Sequence, residues 1–230
     1  MTRAVPEGRR ACSNSAVCDP LAPRPSRLDH VRRAVAFGAH PDDLEVGAGG
    51  LISRLAAQGA AVTMVVASIP NRFAERRAEA IAGAARLGAR LVLPAGDAET
   101  RVEDPAMHAL VARFDGVVAE VDPDLVIVHG PHDAHWDHTL VHRAVLAALR
   151  RASCDVLAYA TRLPLGAAPP PATCIVDISA TIEQKVAAIA EHASQFPASF
   201  VTARREVARA LGATHGLGFA EVYEALRITL

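Results

Sequence analysis

The sequence predicts an α/β fold, a Rossmann-like three-layer α/β/α sandwich with a mostly parallel sheet. Three observations carry that reading. From Arg33 onward, short apolar runs alternate with longer segments of helical period, as successive βα units do. The run Leu125–His129 begins with a continuous apolar LVIV, as expected for a strand covered on both faces. Helical segments stop at glycines, Gly59 and Gly88, which close helices well as C′ residues.

Taken in order, Ala34–Ala39 reads as a first buried strand, followed by a helix over about Glu45–Gln58. Val62–Ala67 is the second strand, and Ala74–Leu87 the second helix, with Ala and Ile at its apolar positions. Arg90–Leu93 is the third strand. Pro105–Glu120 reads as a helix with proline in its first turn, where a missing N–H costs nothing. After Leu125–His129 come a helix over Thr139–Arg151 and a strand over Val156–Ala160. Leu163–Pro171 is a Pro/Gly/Ala surface loop. Cys174–Ile178 and Glu183–Gln195 form a late strand–helix unit, and Val201–Leu211 is a last helix. The tail GLGFAEVYEALRI then adds an edge strand. There is no internal repeat. Open sheets of this kind place their sites at the carboxyl ends of the strands.

A chain of 230 residues suits one sizeable domain, here residues 31–230, behind a leader of residues 1–30. Met1–Arg27 is rich in Arg, Pro, Ala and Ser and lacks an apolar core, which favours a flexible leader over a signal peptide. With 51% apolar and 21% charged residues the composition is ordinary for a globular protein. A net charge of −1 gives no basic face for nucleic acid, and no apolar run is long enough to cross a membrane. Cys12, Cys18, Cys154 and Cys174 form neither a disulfide framework nor a thiolate zinc site, so a reducing cytoplasm is the expected compartment. A homo-oligomer is compatible with the sequence.

Two clusters carry chemistry. His40-Pro41-Asp42-Asp43 follows the first strand, where Pro41 fixes φ and turns the chain. By itself this segment reads equally well as a cap on the next helix, whose N-terminus favours negative charge. The second cluster decides between them. Five of the ten histidines, His129, His132, His135, His138 and His142, crowd into one stretch after a strand, too densely for packing to explain. His132 and His142 read as capping or core histidines. For the rest, two imidazoles and a carboxylate with an open position describe a hydrolytic zinc site, and equally non-heme Fe(II) or another divalent ion. The remaining Asp and His are then free to serve as general base and acid. The glycines Gly47, Gly49 and Gly50 lack dinucleotide spacing and read as close helix–sheet packing.

Taken together, these segments resemble the LmbE-like, or PIG-L, N-acetylglucosaminyl deacetylases. The resemblance rests on AFGAHPDDLEVGAGG (Ala36–Gly50) and on Pro131, Asp133, His135, Asp137 and His138 in a P-x-D-x-H-x-D-H pattern. Arg76–Ala80, the ARLGA that follows, and Lys185–Gln195 extend it. It implies a zinc-dependent N-deacetylase with His40, Asp43 and His138 as metal ligands and Asp42 as general base. It makes His135 the group that stabilises the tetrahedral intermediate or protonates the leaving amine. Asp137 and His129 would orient the imidazoles, and Glu45, Arg76, Arg77 and Asp97 would approach the substrate. Glu45 stands one place later than in many members, and Ser68–Phe73 replaces a GE-x-G loop. Trp136, in place of a common proline, would join the pocket wall. The expected substrate is an N-acetylated amino sugar or glycosylated small metabolite. The rival readings are an amidase for a thiol conjugate and a catalytically silent sugar- or metal-binding protein. A nucleotide-binding oxidoreductase fails on the missing glycine fingerprint.

Overall fold

The computed structural model describes residues 26–161 and 172–229. The expectations for residues 1–25 and for the loop Leu163–Pro171 lie outside the described residues. Seven strands form one sheet: β1 Arg33–Gly38, β2 Ala61–Val66, β3 Arg90–Val92, β4 Leu125–His129, β5 Asp155–Tyr159, β6 Cys174–Asp177 and β7 Ala220–Arg227. The helices are α1 Asp43–Ala57, α2 Phe73–Leu87, α3 Met107–Val121, α4 Trp136–Ala148, α5 Ile182–Glu191 and α6 Ala198–Ala213.

The strand order is β3-β2-β1-β4-β5-β7-β6. The first five in that order run parallel, and β7 runs antiparallel to both β5 and β6. Residues alternate across the sheet, so β1 feeds two cores. Ala34 and Ala36 pack with Leu51 and Leu55 of α1, while Val35 and Phe37 pack with Phe114 of α3 and Val141 of α4. This is the three-layer α/β/α sandwich the sequence predicts. Chain order runs outward from β1 to β2 and β3 on one side, and from β4 to β5 on the other. The switch falls between β1 and β4, and both chemical clusters follow those two strands.

Two features of α1 and α2 explain glycines. A Cβ on Gly47 would stand 2.1 Å from the Tyr159 ring, so α1 lies against the sheet as only glycine permits. Gly88 closes α2 in the left-handed region at φ 73°.

Several boundaries differ from the sequence expectation. α4 begins at Trp136, not Thr139, because His135 acts as its N-cap, Nδ1 accepting from Asp137 N at 3.2 Å. α3 begins at Met107, so Pro105 lies ahead of the cap residue Ala106 and outside the first turn. β7 is an interior strand and β6 the edge. The end of the expected leader is also built: Ser26 caps a 3-10 helix over Arg27–His30, and Arg27 reaches Asp155 at 2.9 Å. Among the described residues, no helix is long and apolar enough to cross a membrane.

Candidate active site

The turn after β1 is held by its own carboxylate. Asp43 opens α1 and is buried, and its Oδ2 accepts from the backbone N–H of Ala39 at 3.0 Å and of His40 at 2.8 Å. Its Oδ1 faces His138 Nε2 at 3.2 Å, and Oδ2 lies 3.5 Å from His40 Nδ1. Asp42 takes φ 100°, a left-handed conformation that costs a non-glycine residue about 1–3 kcal/mol. Its Oδ2 accepts from Arg76 at 3.0 Å, and the same guanidinium nitrogen donates to the Pro41 carbonyl at 2.9 Å. Arg76 is only 4% exposed, so its charge is matched by Asp42 rather than by water.

The second cluster comes from the β4–α4 connection. His138 lies in the first turn of α4, and its Nδ1 donates to Asp133 Oδ2 at 2.9 Å. His40 Nε2 lies 2.8 Å from Asp137 Oδ2. The His129 and His135 rings each stack on that of His138, with ring centroids 3.9 Å and 4.6 Å from it. His129 Nε2 accepts from Ala39 N at 3.0 Å and lies 3.2 Å from the Tyr159 hydroxyl. His142 is buried and donates to the His129 carbonyl at 2.7 Å.

His40, Asp42, Asp43, Arg76, His135 and His138 line one cavity of about 570 Å³ together with Asp133. Asp137 and His129 lie behind that lining, Asp137 against His40 and His135 and His129 against His138 and Asp43. Three expected substrate contacts lie elsewhere: Arg77 and Asp97 are exposed and outside the cavity lining, and buried Glu45 faces His192 at 3.2 Å. Trp136 is 57% exposed and also outside the lining, because the first turn of α4 aims it away. Sequence reasoning assigned no role to Asp133, the partner of His138, or to Phe196 and Phe200, which line the same cavity. Asp133 could have been found from its place in the motif; the phenylalanines gave no local signal.

The electrostatics follow from burial and charge. Burial and the adjacent Asp43 charge push the Asp42 carboxyl up to about 7, against the pull of Arg76. Burial opposes charge on His138, yet Asp133 and Asp43 together raise it to about 10. Burial alone would raise Asp43, but the surrounding imidazoles hold it well below the ordinary carboxylate range. Burial depresses His129 to about 4 and, with the His138 and His40 charges, lowers His135.

One atom each from His40, Asp43 and His138 fall within 4.8 Å of one another. Two other triplets, His40–His135–Asp137 and His129–Asp133–His138, are equally close. In those, Asp137 and Asp133 are each spent on an imidazole, and His129 on the Ala39 N–H. The first triplet leaves its donors backed by partners on the far side, as ligating groups usually are. Two imidazoles and a carboxylate also suit a borderline divalent ion. Against burial, Asp133 and Asp43 favour positive charge at His138, and the donor set fits such an ion.

The sequence profile described as PIG-L, GlcNAc-PI de-N-acetylase, matches residues 35–149, a span that holds both clusters. The chain is 31% identical over 135 residues to the uncharacterized deacetylase YaiS of Escherichia coli (strain K12), covering 55% of this chain and 72% of that protein. It is 27% identical over 231 residues to the 1D-myo-inositol 2-acetamido-2-deoxy-alpha-D-glucopyranoside deacetylase of Mycobacteroides abscessus, covering 73% of this chain and 83% of that one. Among solved structures, GalB, the 4-carboxy-2-hydroxymuconate hydratase of Pseudomonas putida KT2440, aligns at TM-score 0.73 and 23% identity, covering 86% of this chain and 98% of that chain. That likeness is one of fold. With half the chain matched, including every residue of the two clusters, the chain belongs to the GlcNAc-PI de-N-acetylase (PIG-L) family.

Proposed function

We propose that this chain is a divalent-metal-dependent deacetylase, taking zinc first and Fe(II) or another divalent ion as alternatives, that cleaves the N-acetyl amide of a small amino sugar or its conjugate. The observation that carries this reading is the meeting of a cation-favouring triplet with Asp42 and His135 in one cavity. The kinship with proteins named as deacetylases, one of them acting on an inositol-linked 2-acetamido sugar, supports the same substrate class.

His40, Asp43 and His138 would hold the ion. When bound, it supplies Lewis acidity to the amide carbonyl and to the attacking water. Asp42 takes the proton from that water, and a carboxyl raised to about 7 is a proton acceptor matched to neutral pH. Arg76 keeps the carboxylate aimed, because it grips both Asp42 and the carbonyl of Pro41. The proton Asp42 has gained is the one the departing nitrogen requires, so water adds across the amide and a free amine and a carboxylate leave. His135 has its Nδ1 occupied as an acceptor, so in the neutral ring the proton sits on Nε2. A neutral Nε2–H donates a hydrogen bond to the developing oxyanion. Between the two roles the family resemblance offers for His135, its lowered pKa favours this one over proton donation to the amine.

The test is to incubate metal-loaded protein with N-acetylglucosamine, its inositol and alkyl conjugates, and a thiol conjugate, and to follow acetate and free amine by mass spectrometry. Acetate released in step with amine supports the reading. Saturable binding without products would indicate a silent binder and overturn the reading. His135→Gln should lower kcat far more than it raises KM, since its contact belongs to the transition state.

A further inference from the structure

The catalytic cluster occupies only part of the cavity. The uncharged lining is Val46, Pro70, Ala134, Phe196 and Phe200, with Thr161 and Gln195 as its polar members. Gln195 Nε2 spends one proton on Ser194 Oγ at 2.9 Å, and Thr161 Oγ1 lies 3.5 Å from Asp133 Oδ2. Phe196 and Phe200 stack face to face, ring centroids 4.2 Å apart and planes 10° apart, and both remain half-buried. A fully hydroxylated ligand would find uncharged hydrogen-bond partners here only at Gln195 and Thr161, and a hydroxyl held against the two rings would go unpaired.

The aromatic pair is built into the frame. Phe196 sits on the connection from α5 into α6, and Phe200 in the first turn of α6. Ser194 anchors that connection to α2, its N–H and hydroxyl reaching Glu79 at 2.8 and 2.7 Å. Phe196 N donates to the His192 carbonyl at 3.0 Å, and the His192 ring is wholly buried against Glu45 of α1. Two helices that frame the site thus fix the rings in place, and rigid apolar surface in a substrate cavity binds apolar groups at little ordering cost.

We propose that Phe196 and Phe200 receive an apolar group of the substrate, either an alkyl or aryl aglycone or an acyl chain longer than acetyl. The proposal rests on the hydrolase reading above for the reaction, but not for the binding. It makes the preferred substrate an amphiphile with an amide at the cluster and a hydrocarbon on the aromatic wall.

Two series test it on the metal-loaded full chain: alkyl glycosides of N-acetylglucosamine from methyl to octyl, and N-acylglucosamines from acetyl to octanoyl. For each, kcat/KM is measured, and calorimetry gives Kd for the matching products, alkyl glucosaminides and straight-chain carboxylates. One series should gain about two- to four-fold per methylene over its first members, as burial of CH₂ predicts. A response in the glycosides identifies the aglycone, and in the N-acyl compounds the acyl chain. Phe196→Ala and Phe200→Ala should flatten that gradient, and Phe200→Leu should keep much of it. Thermal melts check that the variants fold. Flat Kd and kcat/KM in both series, or a gradient that both alanine variants leave intact, overturns the proposal. If no member of either series is hydrolysed, the deacetylase reading fails, and the Kd gradients still decide for or against the aromatic wall.

Discussion

His138 is held at both ring nitrogens: Nδ1 donates to Asp133 at 2.9 Å, and Nε2 faces Asp43 at 3.2 Å. The two carboxylates arrive on different chain segments, and the imidazole between them has no freedom to turn. Asp133 also accepts from the His135 N–H at 2.9 Å, so one side chain fixes both the ring and the start of its helix.

Asp133→Ala should therefore weaken metal binding about 10–100-fold while leaving all three ligands in the sequence. A competition titration with a chromogenic zinc chelator measures this. Unchanged affinity in a folded variant would remove Asp133 from the support of the site.

Asp42 and Asp43 should separate cleanly although they are neighbours. Asp42→Asn should keep about one ion per chain and lose turnover by roughly 10²–10⁴-fold, the range for a missing general base. Asp43→Asn should lose the ion first, because its carboxylate both meets His138 and ties down the backbone of Ala39 and His40. Elemental analysis alongside acetate release distinguishes the two, and the reverse pattern would exchange their roles.

Metal removal should expose a pH dependence of stability. In the metal-free fold Asp133 and Asp43, working against burial, push His138 up to about 10, above the ordinary 6.5 of an imidazole. A raised folded pKa stabilises fully below the unfolded value, and that stability is lost as pH rises through the folded one. The melting temperature of chelator-treated protein should thus fall between about pH 6.5 and 10, and His138→Gln should flatten the fall. Saturating zinc should abolish this histidine-dependent slope, since a bound ion displaces the proton.

Gly47→Ala tests the packing of α1 on the sheet. Its new methyl would stand 2.1 Å from the Tyr159 ring, and the ring is fully buried with its hydroxyl bound to the Phe37 carbonyl. Overpacking of this kind costs about 1–3 kcal/mol, visible as a lower denaturant midpoint at constant slope. A variant as stable as the parent would mean that α1 shifts freely.

What the sequence disclosed depended on whether the signal was local. β4 could be read from LVIV alone, and the density of histidines after it marked the site. The start of α4 could not, because a histidine N-cap falls outside the usual Ser, Thr, Asp and Asn, and the pattern therefore began at Thr139. Arg76 read only as a substrate contact; its pairing with Asp42 spans 34 residues and exists only once α1 and α2 pack. Phe196 and Phe200 fell between a helix expected to end at Gln195 and one expected to begin at Val201, whereas α5 ends at Glu191 and α6 begins at Ala198. The interior place of β7 comes from pairings such as Cys174 with Tyr223, for which no neighbouring residues give notice.

That placement of β7 has a consequence for the order of assembly. β7 follows β5 and β6 in the chain yet lies between them in the sheet. Its Glu221 accepts from the N–H groups of Gly50 and Leu51 in α1 at 2.8 Å each, and pairs with buried Lys185 at 2.6 Å. During synthesis His40, Asp43 and His138 all leave the ribosome well before this brace does. The nascent chain thus passes through an interval in which it carries every proposed ligand but not the scaffold that aligns them, and the proposed site takes its shape only after β7 has threaded into the gap.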